Sequence, residues 1–150
     1  MKILKVWYHF KTAIKKAVYK VIFREKLNIG KGTTWRDGFH IAIEGGKIDI
    51  GKDCFFNHNC SVNSLQYVSI GDGTIFGENV HIYDHNHRFR SEEDSIKSQG
   101  YTVGETRIGS HCWLGTNVVV LKGVTIGDNC VIGAGVVVEE DVPDGIIVRR

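Results

Sequence analysis

The run "IGSHCW LGTNVV VLKGVT IGDNCV IGAGVV VEEDVP", residues 108–143, falls into units of six. Each unit opens on a bulky apolar residue: Ile108, Leu114, Val120, Ile126, Ile132 and Val138. Glycine usually follows the opener. Four places after each opener stands a small or β-branched residue: Cys112, Val118, Val124, Cys130, Val136 and Val142. A helix repeats every 3.6 residues and a strand every 2. A period of six with a turn residue in each unit predicts short strands separated by regular bends. Three units make one 18-residue triangular coil. Its openers stack into an apolar ladder, with coils about 4.8 Å apart, the ordinary spacing between strands.

The same register extends upstream. It runs through Ile50-Gly51, Phe56 and Val62, gains two extra residues, and resumes at Ile70-Gly71, Phe76-Gly77 and Ile82. Cys54, Cys60, Thr74 and Val80 hold the small position there. All four cysteines of the chain therefore fall on packing positions. Cys112 and Cys130 stand one coil apart at a separation that could suit a disulfide, but a reducing cytosol disfavours one. No CxxC pair or Cys/His zinc spacing occurs, so small packing residues are the expectation.

The chain of 150 residues is 42% hydrophobic, with 18 Gly and 1 Pro. This suits one turn-rich domain. No apolar run is long enough to span a bilayer, and lysines interrupt every candidate signal core. The expected location is cytoplasmic. The net charge of +2 is unevenly spread. Residues 1–31 hold nine Lys or Arg and only Glu25 as an acid, a local +8, which leaves −6 for the remainder.

Residues 1–28 form the first part of the chain and 29–150 the second. In the first, Ile3, Trp7, Phe10, Ile14, Ala17, Val18, Val21 and Ile22 recur at helical spacing among lysines. They predict a basic amphipathic helix. Its apolar side has two readings. It covers an open end of the coil, or it rests on anionic lipid at the inner face of the cell membrane. Trp7 and Tyr8 beside the lysines also admit nucleic acid, but no nucleic-acid motif accompanies them and the body is acidic.

The repeat breaks between Ile82 and Ile108, 26 positions apart where six would serve. The insertion loop, 84–107, opens with Asp84-His85-Asn86-His87-Arg88-Phe89-Arg90. Solenoids carry function on such insertions. Two histidines beside an aspartate admit a metal site, a general base with its helpers, or a solvated polar loop. Imidazole suits a base because it titrates near neutrality.

The openers, the glycines that follow them and the small fifth residues resemble the hexapeptide-repeat acyltransferases. Within that family the chain is similar to the branch that O-acetylates sugars and surface polysaccharides. The resemblance covers residues 29 to about 146. It implies an all-β, left-handed parallel β-helix of hexapeptide repeats, with the N-terminal amphipathic α-helix and one long protruding loop outside it. That hand departs from the usual right-handed crossover.

The resemblance also implies acetyl-CoA as co-substrate with no metal required, a homotrimer, and a sugar or lipid-linked glycan acceptor. By the segment from Asn57-His58-Asn59-Cys60 to Asn79-Val80, His85 would be the base. His87 is its alternative and Asp84 the group that orients the ring. Asn57 and Arg88 would lie near the acceptor. Trp113, Gly115, Thr116, Ala134 and Gly77 would lie along coenzyme A, although the glycines read by themselves are turn glycines. After Asp141-Val142-Pro143-Asp144-Gly145 the family's Ala-Gly-x-Pro-Ala-like turn does not follow, so that Arg149 and Arg150 alone would serve the coenzyme's phosphates, or its binding would be weak, or the sequence is cut short.

Two other classes fit the same fold. Gamma-type carbonic anhydrases hold zinc with three histidines, and His81, His85, His87 and His111 supply imidazoles here. Their paired ligands stand five residues apart, however, whereas His81/His85 are four apart and His85/His87 two. A non-catalytic solenoid scaffold is the other, since a fold alone does not establish an activity.

Overall fold

The computed structural model describes residues 2–149, with side chains from Val6 onward. The coils follow one another as the hexads predict. The first holds β1 (Leu27–Ile29), β2 (Thr34–Trp35) and β3 (His40–Ile43). The second holds β4 (Lys47–Ile50), β5 (Phe55–Phe56) and β6 (Ser61–Ser64), and the third β7 (Tyr67–Ile70), β8 (Ile75–Phe76) and β9 (His81–Tyr83). A hairpin of β10 (His85–His87) and β11 (Tyr101–Val103) then leaves the coil. The fourth coil is β12 (Thr106–Ile108), β13 (Trp113–Leu114) and β14 (Val119–Val120). The fifth is β15 (Thr125–Ile126), β16 (Val131–Ile132) and β17 (Val137–Val138), and β18 (Ile147–Val148) starts a sixth.

Like strands stack into three parallel sheets, the faces of a triangular prism. The first face runs β1-β4-β7-β12-β15, the second β2-β5-β8-β13-β16-β18, and the third β3-β6-β9-β14-β17. The register is that of the openers. Ile50 pairs with Ile70, Ile70 with Ile108 and Ile108 with Ile126. Ile82 pairs with Val120 across the whole insertion, so the loop leaves the ladder intact. Every opener from Ile50 to Val138 is buried, as is every fifth-position residue from Cys54 to Val142. The upper core is an aromatic stack of Trp35, Phe39, Phe56 and Phe76, with centroids 4.4–4.8 Å apart. Aliphatic openers replace it further down.

The cysteines are free and buried. Each thiol points along the axis to a carbonyl of the next coil: Cys54 to Gly71 O at 3.1 Å, Cys60 to Gly77 O at 3.0 Å, and Cys112 to Gly127 O at 3.1 Å. Thr33 and Thr74 use their hydroxyls in the same way. Burial raises the thiol pKa of Cys54, Cys60 and Cys112, the opposite of what a nucleophile requires.

The glycines after the openers turn out not to be turn glycines in the conformational sense. The positive φ angles fall two residues later, at Asp53, Gly73, Asn79, His111, Asn117 and Asn129. The glycine itself is needed for clearance. A Cβ on Gly115 would stand 2.7 Å from Ala134 N, and one on Gly77 would stand 2.6 Å from Thr116 N.

Helix α1 (Lys2–Phe23) covers the open end of the first coil. Tyr19 is buried against Trp35, and its hydroxyl accepts from Ile41 N at 3.3 Å. Thr12 donates to Trp35 O, and Lys15 to Phe39 O. The expectation that an apolar stripe would cover the end needs correction. Trp7, Phe10, Ile14, Val18, Val21 and Ile22 are exposed. The end is closed by Thr12 and Tyr19, with Phe23 partly buried against the core. The reason is local: polar carbonyls at the rim of the coil need donors, which hydroxyls and lysines supply and a leucine-like stripe does not. Among the described residues no helix is long and apolar enough to cross a membrane.

Candidate active site

The third coil ends at Tyr83, and the chain turns out at the corner between the third and first faces. Asp84 stays behind, fully buried. Its carboxylate is held by the turn of the coil above, residues 64–66. Oδ1 accepts from Leu65 N at 2.8 Å, and Oδ2 accepts from Ser64 Oγ at 2.8 Å and Gln66 N at 2.8 Å. These are the residues around the two-residue surplus between Val62 and Ile70. The extra length makes the backbone curl whose N–H groups bind the carboxylate.

The remaining contact is His85 Nδ1, 2.9 Å from Asp84 Oδ1. Burial alone would raise the Asp84 pKa. The donors Leu65 N–H, His85, Gln66 N–H and Ser64 outweigh it and hold the carboxyl below its ordinary value. An ionised Asp84 accepts a hydrogen bond from Nδ1–H, the tautomer that leaves the lone pair on Nε2.

The hairpin fixes the ring further. His85 lies opposite Val103 and His87 opposite Tyr101. Tyr101 meets His85 edge-on at 5.5 Å and lies 4.5 Å from His87, centroid to centroid. The two imidazoles share one side of β10, as a strand's period of two requires. Only His85 carries a carboxylate partner. A pocket of about 130 Å³ opens beside them, lined by Ala42, Glu44, Asn63, Ser64, Leu65, His85, His87 and Tyr101. Glu44, Asn63, Ser64 and Tyr101 were missed by sequence reasoning. The two-residue surplus was the signal for Ser64, and β10–β11 pairing, which a loop sequence does not announce, was needed for Tyr101.

Arg88 sits apart from this pocket. It lines a larger cleft of about 600 Å³ under the loop, with Arg90, Phe89 and Lys122. Asn57 stands at the turn after β5, where its Oδ1 accepts from His58 N at 2.9 Å. That turn is the corner between the second and third faces, so within one chain Asn57 is not brought to His85.

The residues matched to coenzyme A gather at that second corner. Gly77 N donates to Leu114 O and Gly115 N to Ile132 O, stacking the corner into a column. Thr116 and Ala134 are exposed along it. Trp113 projects from the second face just before it, 54% exposed, a large amount for a tryptophan in so regular a solenoid. Arg149 is exposed beyond β18, and Arg150 lies outside the described residues. The other histidines do not join His85: His81 Nδ1 is 2.8 Å from Ser61 Oγ, and His111 packs below Gly73. Among the described residues no three His, Cys, Asp or Glu side chains converge as metal ligands would.

Comparison with known proteins bears on this arrangement. The family model described as bacterial transferase hexapeptide (six repeats) matches residues 105–140. The chain is 41% identical over 129 residues to nodulation protein L of Rhizobium meliloti, covering 85% of this chain and 68% of that protein. This chain belongs to the hexapeptide-repeat acetyltransferases. Among solved structures, a maltose O-acetyltransferase from Clostridium difficile 630 superposes with a TM-score of 0.71 at 31% identity, over 85% of this chain and 67% of that one. A hexapeptide-repeat acetyltransferase from Vibrio cholerae O1, solved with acetyl coenzyme A, gives 0.73 at 28%, over 89% and 72%. The shared fold accounts for the prism. The chain spans about two thirds of the Rhizobium meliloti relative and half of a second nodulation protein L, that of Rhizobium leguminosarum bv. viciae.

Proposed function

We propose that this acetyltransferase moves an acetyl group from acetyl-CoA to a hydroxyl of a sugar or glycan, with His85 as general base. The observation that carries this is the Asp84–His85 pair: a buried, ionised carboxylate on Nδ1 of a ring that lines a small pocket. The acceptor O–H gives its proton to Nε2 while its oxygen attacks the thioester carbonyl carbon. The tetrahedral oxyanion collapses, the C–S bond breaks, and the thiolate takes the proton back from His85. No covalent acetyl-enzyme is needed, in keeping with cysteines buried on carbonyls.

The reading includes a homotrimer. His85 and the Trp113/Gly115/Ala134 column occupy different corners of one prism, so one chain does not present both to one substrate pair. A threefold ring sets the His85 corner of each protomer against the second corner of its neighbour. Coenzyme A, the co-substrate of the Vibrio cholerae relative, would lie along Trp113 with its backbone close to Gly77 and Gly115, where no side chain stands in the way. Asn57 of that neighbour and Arg88 then lie on the acceptor's side.

The test is thiol release from acetyl-CoA with a panel of galactosides, maltose and chitooligosaccharides. His85→Ala should lower kcat by about 10²- to 10⁴-fold while acetyl-CoA still binds. A His85→Ala protein with full transfer would overturn the assignment.

A further inference from the structure

The outward side of α1 has a composition that the fold does not use. Trp7, Phe10, Ile14, Val18 and Val21 recur at three- and four-residue steps and are all between 48% and 75% exposed. They lie opposite Thr12 and Tyr19, the residues by which the helix sits on the coil. Buried and apolar sides therefore face away from each other, and the apolar side is the outermost layer of that end of the prism.

The lysines fall between the two sides. Over Lys2–Phe23 the sequence holds six lysines and no acidic residue. Lys11, paired with Asp37, and Lys15, on Phe39 O, run along one flank, and Lys16, on Gly30 O, and the exposed Lys20 along the other. Two of the ammonium groups sit over aromatic rings: Lys11 Nζ is 5.4 Å from the centre of Trp7, and Lys15 Nζ is 5.4 Å from that of Tyr19.

We propose that α1 is a docking surface for an anionic lipid membrane, with Trp7, Phe10, Ile14 and Val18 entering the acyl boundary and the exposed Lys11 and Lys20, one on each flank, meeting the headgroups. The charge decides the partner. A second copy pairing through the same side would bring lysine flanks together, and Asp37 beside them is already paired with Lys11 of its own chain. A layer of anionic phosphates complements both flanks at once, and the width of the apolar stripe suits a helix lying in the plane of the interface. A long exposed stripe otherwise carries a standing aggregation liability. Docked this way, the protein holds the prism axis upright from the bilayer. The pocket of His85 then lies about two coil spacings, roughly 10 Å, beyond the capped end.

The experiment is co-sedimentation of the whole chain with vesicles of phosphatidylcholine alone or with about 30% phosphatidylglycerol. The wild type should bind the anionic vesicles roughly tenfold or more tightly than the neutral ones, and salt near 0.5 M should weaken that binding. Phe10→Asp/Ile14→Asp should abolish it without moving Tm or acetyl-CoA binding, because both side chains are exposed. Three results would overturn the proposal: no binding to either vesicle, undiminished binding by the double variant, or a doubled mass in solution that the double variant halves.

Discussion

The corner that carries His85 and the corner that carries Gly115 are built from the same hexads, yet they are opposite in kind. At the Gly115 corner the chain is as short as it can be. Coils touch backbone to backbone, and what is offered to a ligand is an absence of side chains beside one exposed Trp113. At the His85 corner the chain is long. Two surplus residues above curl into a carboxylate cradle, and a 20-residue excursion below delivers an imidazole to it. In the proposed site, a solenoid makes a binding groove by keeping its register and a catalytic group by breaking it.

The comparison breaks most severely at Asp84. Asp84→Asn replaces an acceptor of four donors by an amide whose NH₂ faces N–H groups. It should lower kcat by about 10²- to 10⁴-fold through the His85 tautomer. It should also cost about 2–4 kcal/mol of stability, read by denaturant melts. The pH dependence has a definite sign. The Asp84 carboxyl titrates lower in the folded protein than in the unfolded chain. Its stabilisation is therefore fully present above the unfolded value near 4 and is lost as pH falls through the lower folded value. Wild type should lose stability over that acid range more steeply than Asp84→Asn.

At the other corner the largest effect is steric. Gly115→Ala puts a Cβ 2.7 Å from Ala134 N, so the coils must part. Thermal melts should show a loss of about 1–3 kcal/mol, with the acetyl-CoA KM raised and the pH profile of kcat unchanged. Trp113→Ala should sharpen the contrast with the smallest effect on folding. An exposed side chain costs little to remove, so Tm should hold while the KM for acetyl-CoA rises roughly tenfold, the scale of one lost aromatic contact.

The sequence made the prism legible because an opener every six residues states its register directly: Ile82 and Val120, both openers by the hexad count, are partners across the excursion. His85 was legible as the first imidazole after the coil. The cradle of Asp84 was not, because it depends on how residues 64–66 curl one coil away, and sequence distance hides that neighbour. Tyr101 was hidden for the same reason, by the β10–β11 pairing. On α1 the periodicity was right and the direction open. A helical stripe fixes which residues share a side, and the rim of the coil, needing donors for its carbonyls, decided which side packs.

The proposed site is shared by two corners from neighbouring chains. Mixing two disabled proteins measures this directly. His85→Ala keeps the coenzyme corner, and Ala134→Glu, at an exposed position, keeps the base while repelling the coenzyme's phosphates. Each alone should be inactive. Co-refolded in equal amounts as random trimers, they should recover about a quarter of wild-type activity, the fraction of interfaces that receive one intact corner from each side. Activity that stays at the level of the separate variants, with mixed trimers present, would contradict the shared site.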